Sequence, residues 1–276
     1  MPDAYTWSFL ALLGGPDWRP PPDPAVADLG AAVAGALREL ERRQRAVTVA
    51  DYEHLLLAEW PGSPEAAGLD DAGVGRVHAV ARRDLTRPPE SADLDAPAHV
   101  SVIVMPPRSP GQPHPTPSDD LLAAIATFLD SRRLLTTRLH VVGPAYVHVG
   151  ITARLGLRAD APPQQALADT AAALRAAFDL FTGGPRGTGP PFGEPVYLSY
   201  VYAVLDALPL VEFAEDVTLS GGRPVIAEDD SVSAIGLAPH ELAMLHRIEL
   251  VGYDRNRHSY ELTWDAGDPA TAGDTG

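Results

Sequence analysis

From Tyr146 to Leu157 the chain alternates residue by residue: Val147, Val149, Ile151, Ala153, Leu155 and Leu157 fall on one side, Tyr146, His148, Gly150, Thr152 and Arg154 on the other. Successive side chains of a strand point to opposite faces, so this spacing predicts a long strand with one buried face. A second strand is predicted over His99 to Met105, where Val100, Val102 and Val104 alternate with Ser101 and Ile103, and a third over Val77 to Arg83. Val211, Phe213, Val217 and Leu219 alternate again and stop at the turn SGGR. Ile248 and Leu250, facing Tyr260, Leu262 and Trp264 across DRNR, predict a hairpin.

Other segments carry the three-and-four spacing of a helix with one apolar stripe. Val26, Leu29, Val33, Leu37 and Leu40 form such a stripe near the front, after the stiff run PDWRPPPDP. It could dock on its own domain or be offered to a partner chain. Thr48 is an N-cap for TVADYEHLLLAEW, with Asp51 in the capping-box position and Pro61–Gly62 as the stop. Ser118 caps a helix with Asp119 and Asp120 in its first turn and Leu121, Leu122, Ile125 and Leu129 on one face. Pro162 and Pro163 open another, with Leu167, Ala171, Leu174, Phe178 and Phe181 as its stripe and Gly183 as its end. Val196 to Leu208 is strand-like in composition, yet Val201, Leu205 and Leu208 keep helical spacing and Pro209 stops them. Strands alternating with one-sided helices predict an α+β fold: mixed sheets with helices packed on one face, as ferredoxin-like sandwich units, plus an N-terminal helix and a C-terminal β-hairpin. The boundaries expected are 1–46 for an extension and helix, 47–220 for the body, 221–264 for a strand and hairpin region, and 265–276 for a tail.

Composition narrows the function. The 276 residues carry 37 acidic and 21 basic side chains, a net charge of −16. Such a surface repels a phosphate backbone and an anionic membrane, so neither nucleic acid nor direct membrane insertion is expected. No stretch approaches the ~18 apolar residues that a span needs. Asp3 stands where a secretory signal carries a basic residue, so assembly in the cytoplasm without a signal peptide is expected. The absence of cysteine removes disulfides, thiolate nucleophiles and Cys-ligated zinc.

The motifs that would carry catalysis or bind a metal are all incomplete. In FTGGPRGTGPPFGEPVYLSYVY (Phe181 to Tyr202) the glycines suggest a phosphate loop, but no lysine follows, and Pro190 and Pro191 delete amides that would donate to phosphate. His240-Glu241 and His246 in HELAMLH stand six apart, whereas HExxH puts its imidazoles four apart on one helical face; a solvated helix start or loop is expected instead. His140 and His148 flank a Gly-Pro bend and Glu228, Asp229 and Asp230 form an acidic turn; neither suggests an assignable partner, and surface roles are expected. No GxSxG elbow is present. No catalytic residue, cofactor or metal is therefore assigned, and the chain is expected not to be an enzyme. Carboxylates that meet only in the fold leave an acid-base hydrolase as the alternative, and a small-ligand binding module as a third.

The order of RAVTVADYEHLLLAEWPG, VGRVHAVARRD, HVSVIVMPP, VVGPAYVHVGITARLGL, GGPRGTGPPFGEPVYLSYVYAVLDALPLVEFAEDVTL and GLAPHELAMLHRIEL, from about Arg45 to Leu250, resembles the C-terminal half of baseplate J-like proteins. These are baseplate wedge components of contractile phage tails and phage-tail-like injection systems. The resemblance implies a structural subunit that contacts other wedge subunits, and indirectly sheath and tube or spike proteins, in a multi-copy particle that transmits the contraction trigger. It also implies that Phe192, Gly193, Tyr197 and Tyr200 are structural or interface positions. Tyr202 joins them as an aromatic contact, and Val26, Leu29, Val33, Leu37 and Leu40 become a candidate assembly helix. Related chains carry a long portion before RAVT, where this sequence has about 45 residues.

Overall fold

The computed structural model describes residues 45–88, 91, 94–109, 114–228 and 230–267. The front stripe from Val26 to Leu40, Asp229 of the acidic turn and all but the start of the tail lie outside these residues.

The first layer pair is built on a three-stranded sheet. Helix α1 (Val49–His54) starts at Thr48, whose side chain accepts from the Asp51 amide while the Asp51 carboxylate accepts from the Thr48 amide, so the capping box closes as predicted. The chain continues through a π-helical turn, Leu55–Glu59, and a 3-10 turn, Trp60–Gly62, where proline stops it. A short helix α2 (Pro64–Ala67) follows. Strands β1 (Arg76–Ala81) and β2 (His99–Met105) pair antiparallel. Helix α3 (Asp119–Asp130), capped by Ser118, then crosses over to β3 (Arg138–Val142), which lies parallel to β2. The sequence predicts no strand there; parallel pairing is reached only through the crossover helix, so no hairpin turn announces it.

Tyr52, Leu55, Leu56 and Trp60 meet Leu121, Ile125, Phe128 and Leu129 over Ala79, Val102 and Val104 in one core. Trp60 and Phe128 are edge-to-face at 5.5 Å, and the indole N–H donates to the Ala72 carbonyl at 2.8 Å. Ala46 of the RAVT segment is fully buried here, its amide donating to the Arg132 carbonyl at 2.9 Å.

The second layer pair is larger. Strand β4 (Ala145–Leu157) lies between β6 (Val211–Ser220), antiparallel to it, and β9 (Glu241–Tyr253), parallel to it; β10 (Ser259–Asp265) completes the order β10-β9-β4-β6. Helices α4 (Pro163–Ala177) and α5 (Leu198–Asp206) contact each other and cover one face of this sheet. The covered face carries Val149, Ile151, Ala153, Leu155 and Leu157, the odd positions of the predicted alternation, packed on Leu167, Leu174, Val201 and Leu205. This is the mixed-sheet α+β architecture expected.

Two local expectations are corrected. Helix α4 ends at Ala177, before Phe181 and Gly183; the Asp179 carboxylate takes the Phe181 and Thr182 amides, both at 2.9 Å, and turns the chain first. The SGGR turn ends β6 where the sequence puts it and hands the chain to a third sheet, β5 (Val196–Tyr197), β8 (Val232–Gly236) and β7 (Arg223–Ile226). The HELAMLH segment is strand: Glu241 to His246 belong to β9, with Leu242, Ala243, Met244 and Leu245 buried. Strand β9 lies at the centre of the four-stranded sheet, although it comes from the segment that the sequence sets apart after residue 220.

Candidate functional site

The glycine and proline segment after α4 sits between the two layer pairs. Its dominant partner is Arg76 of β1, whose guanidinium donates to the Leu180 carbonyl at 2.6 Å and the Pro190 carbonyl at 2.8 Å. Arg76 also lies 5.1 Å from the Phe192 ring centre, and that ring stacks on His78 of β1 at 5.2 Å. Phe192 therefore closes a contact within the chain. Around it Met105, Leu180 and Leu242 form a small core with Tyr146, Phe181 and Phe192.

Two glycines are needed by position. Gly189 has φ +83°, and a Cβ there would stand 2.3 Å from the Leu180 carbonyl oxygen. Gly193 has φ +70°, and a Cβ would come within 2.7 Å of the Pro239 Cα. Both are left-handed positions against rigid backbone. The segment is a structural elbow gripped by an arginine.

The tyrosines separate into two groups. Tyr200 is half-buried, donates to the Ala177 carbonyl at 3.2 Å and meets Phe178 edge-to-face at 5.9 Å. Tyr202 packs half-buried against the large core. Tyr197 is 51% exposed and Val225 45%. Both pair in register with Ala234 of β8, from opposite sides, which puts them on the same face of the third sheet. Ile226, 52% exposed, follows on the outer strand β7. This small sheet thus offers an apolar surface at Tyr197, while Phe192, Tyr200 and Tyr202 face inward contacts.

The polar side chains that could carry chemistry are held by structural contacts. A cavity of about 440 Å³ is lined by Arg108, Arg175, Phe181, Met244, Leu245 and Trp264, with Asp179 as the one carboxylate in its lining. Burial alone would raise the Asp179 pKa. The Phe181 amide, the Arg108 guanidinium and Thr182 override this and hold it at about 2. Glu241 accepts from the Ala238 amide at 2.6 Å and pairs with Arg223. His148 stacks on His246 at 4.8 Å.

The expectation of a plain surface role for His140 is corrected. Positions His99 of β2 and His140 of β3 share the sheet face turned away from α1 and α3, and there they meet Asp84 from the segment after β1. His99 Nδ1 stands 2.9 Å from His140 Nε2 and 3.6 Å from Asp84 Oδ2, and the two imidazoles meet edge to edge, their centres 5.0 Å and their planes 20° apart. A hydrogen bond from Thr86 holds the Asp84 carboxyl below its ordinary pKa; burial pushes His140 down, and Asp84 offsets only part of that. Sequence reading misses this trio because its members are distant in the chain and follow no local motif.

No family model matches the sequence, and no curated protein does. A solved structure does match. A chain of the anti-feeding prophage baseplate, determined by cryo-electron microscopy with six-fold symmetrisation, aligns with a TM-score of 0.50 and 21% identity over 79% of this chain and 41% of that one. The protein here therefore spans about two fifths of the length of that chain, and at this identity the likeness is one of fold. Among the described residues no helix is long and apolar enough to cross a membrane.

Proposed function

We propose that this chain is a structural subunit of the baseplate of a phage-tail-like contractile injection system. The observation that carries the reading is the shared fold over 79% of the chain with a component of a solved baseplate. The order of segments from RAVT to HRIEL supports the finer form, a baseplate J-like wedge subunit that links neighbouring baseplate components and passes on the contraction trigger. On this reading the work is done by contacts with other wedge subunits, and through them with sheath and tube or spike proteins.

The site geometry fits such a role. The elbow locks the two layer pairs together through Arg76, and a part that transmits force between neighbours needs that rigidity. Tyr197 with Val225 supplies an apolar contact on a rigid sheet. We assign no catalytic role: Asp179, the carboxylate of the 440 Å³ cavity, is spent on two amides and Arg108. The test is co-purification: the chain should sediment with sheath and tube proteins in a fixed ratio, and Tyr197→Asp should lower its incorporation. A chain that stays free of intact particles refutes the role.

A further inference from the structure

The Asp84, His99 and His140 trio has no part in the baseplate reading and stands independently of it. Its members converge from the segment after β1, the start of β2 and the middle of β3, so the fold, not local sequence, builds it. The three side chains are only 12%, 11% and 19% exposed, respectively. One ligand atom from each lies within 4.8 Å of the others. A tetrahedral ion with bonds of ~2.0–2.1 Å holds its donors ~3.3 Å apart. His99 Nδ1 stands 2.9 Å from His140 Nε2, a hydrogen bond whose shared proton an ion would displace, and 3.6 Å from Asp84 Oδ2, while His140 reaches Asp84 Oδ1 through its other nitrogen, Nδ1, at 3.5 Å.

We propose that Asp84, His99 and His140 bind one divalent transition-metal ion of the zinc class, which clips the segment after β1 to the outer face of the first sheet. Two imidazoles and a carboxylate are a donor set that such ions share. The supporting partners are present. The Thr86 hydroxyl donates to Asp84 Oδ1 at 2.5 Å and orients the carboxylate, as outer partners of metal ligands do. Ser101, fully buried beside the trio on β2, ties the same segment down by donating to the Arg83 carbonyl at 2.9 Å and accepting from the Leu85 amide at 3.1 Å. Arg87 lies 3.1 Å from Asp84 Oδ2 and is the competing cation; its side chain is 39% exposed, so water takes up the guanidinium when the ion arrives. Without an ion the trio is a hydrogen-bonded cluster that holds the sheet edge by itself, and the experiment separates the two.

Tag-free protein, treated with EDTA and dialysed, is titrated with zinc chloride by calorimetry at neutral pH. One ion per chain with a micromolar or tighter Kd is expected. His99→Ala, His140→Ala and Asp84→Asn should each weaken it by at least ~10-fold. His148→Ala and His246→Ala, in the other histidine pair, should bind as the wild type does. Absence of saturable one-to-one uptake, or uptake unchanged in all three ligand variants, overturns the proposal. Because buried substitutions can disturb folding, cobalt(II) added to the wild type gives a second reading. Intense visible bands of a tetrahedral nitrogen and oxygen site, displaced by zinc, support the site; the weak spectrum of aqueous cobalt refutes it.

Discussion

Arg76 of β1 ties the first sheet to the elbow. It satisfies two carbonyls of a segment more than a hundred positions away and packs on Phe192. Arg76→Ala leaves both carbonyls without their charged donor, and a loss of about 2–4 kcal/mol in urea unfolding is expected. Arg76→Lys should recover only part of it, since an ammonium lacks the planar fork that reaches both oxygens. Equal stability of Arg76→Ala and the wild type would contradict the role. Gly189→Ala should cost more than ~1 kcal/mol, because both φ and the Leu180 carbonyl oppose it. Asp179 adds a pH dependence. Its folded pKa, about 2, lies below its ordinary 3.8, so its contribution is present in full above 3.8 and is lost as pH falls through about 2. Asp179→Asn should flatten that part of the acid unfolding curve; an unchanged curve would remove Asp179 from the account. Tyr197 was legible only as one of several aromatics: nothing in GPPFGEPVYLSYVY distinguishes a ring that points outward from one that closes a core. The partners that decide it, Ala234 and Ala177, lie elsewhere in the chain.

Caps and alternations were the most legible elements, because their causes are local. The Thr48 and Ser118 caps and the β4 face stand where the spacing puts them. Thr48→Ala and Ser118→Ala should each cost about 1 kcal/mol, read as a shift in urea midpoint at constant slope. Val196 to Leu208 shows period defeating composition: its β-branched and aromatic residues favour strand, yet the stripe of Val201 and Leu205 gives α5 after only two strand residues. The two missed strands share a physical reason. β3 and the start of β9 are held by parallel partners, β2 and β4, that lie far away in sequence. Buried on both faces, Leu242 to Leu245 show no alternation to mark them as strand. Helix α4 stops early because an aspartate side chain captures two amides, a competition that an apolar stripe does not reveal.

Over the whole molecule, the elbow bridges the two layer pairs, and the third sheet leaves an apolar face exposed at Tyr197 and Val225. The front stripe extends this reading to assembly. Leu29→Asp with Leu37→Asp should block incorporation into particles if that stripe is a shared helix; normal assembly of the double variant would free it from that role. The central claim is tested most directly by purifying contractile particles from the native source and measuring this chain against sheath and tube proteins by quantitative mass spectrometry. A fixed, sub-sheath stoichiometry that persists through gradient sedimentation is predicted; a chain found only in the particle-free fractions would contradict the account.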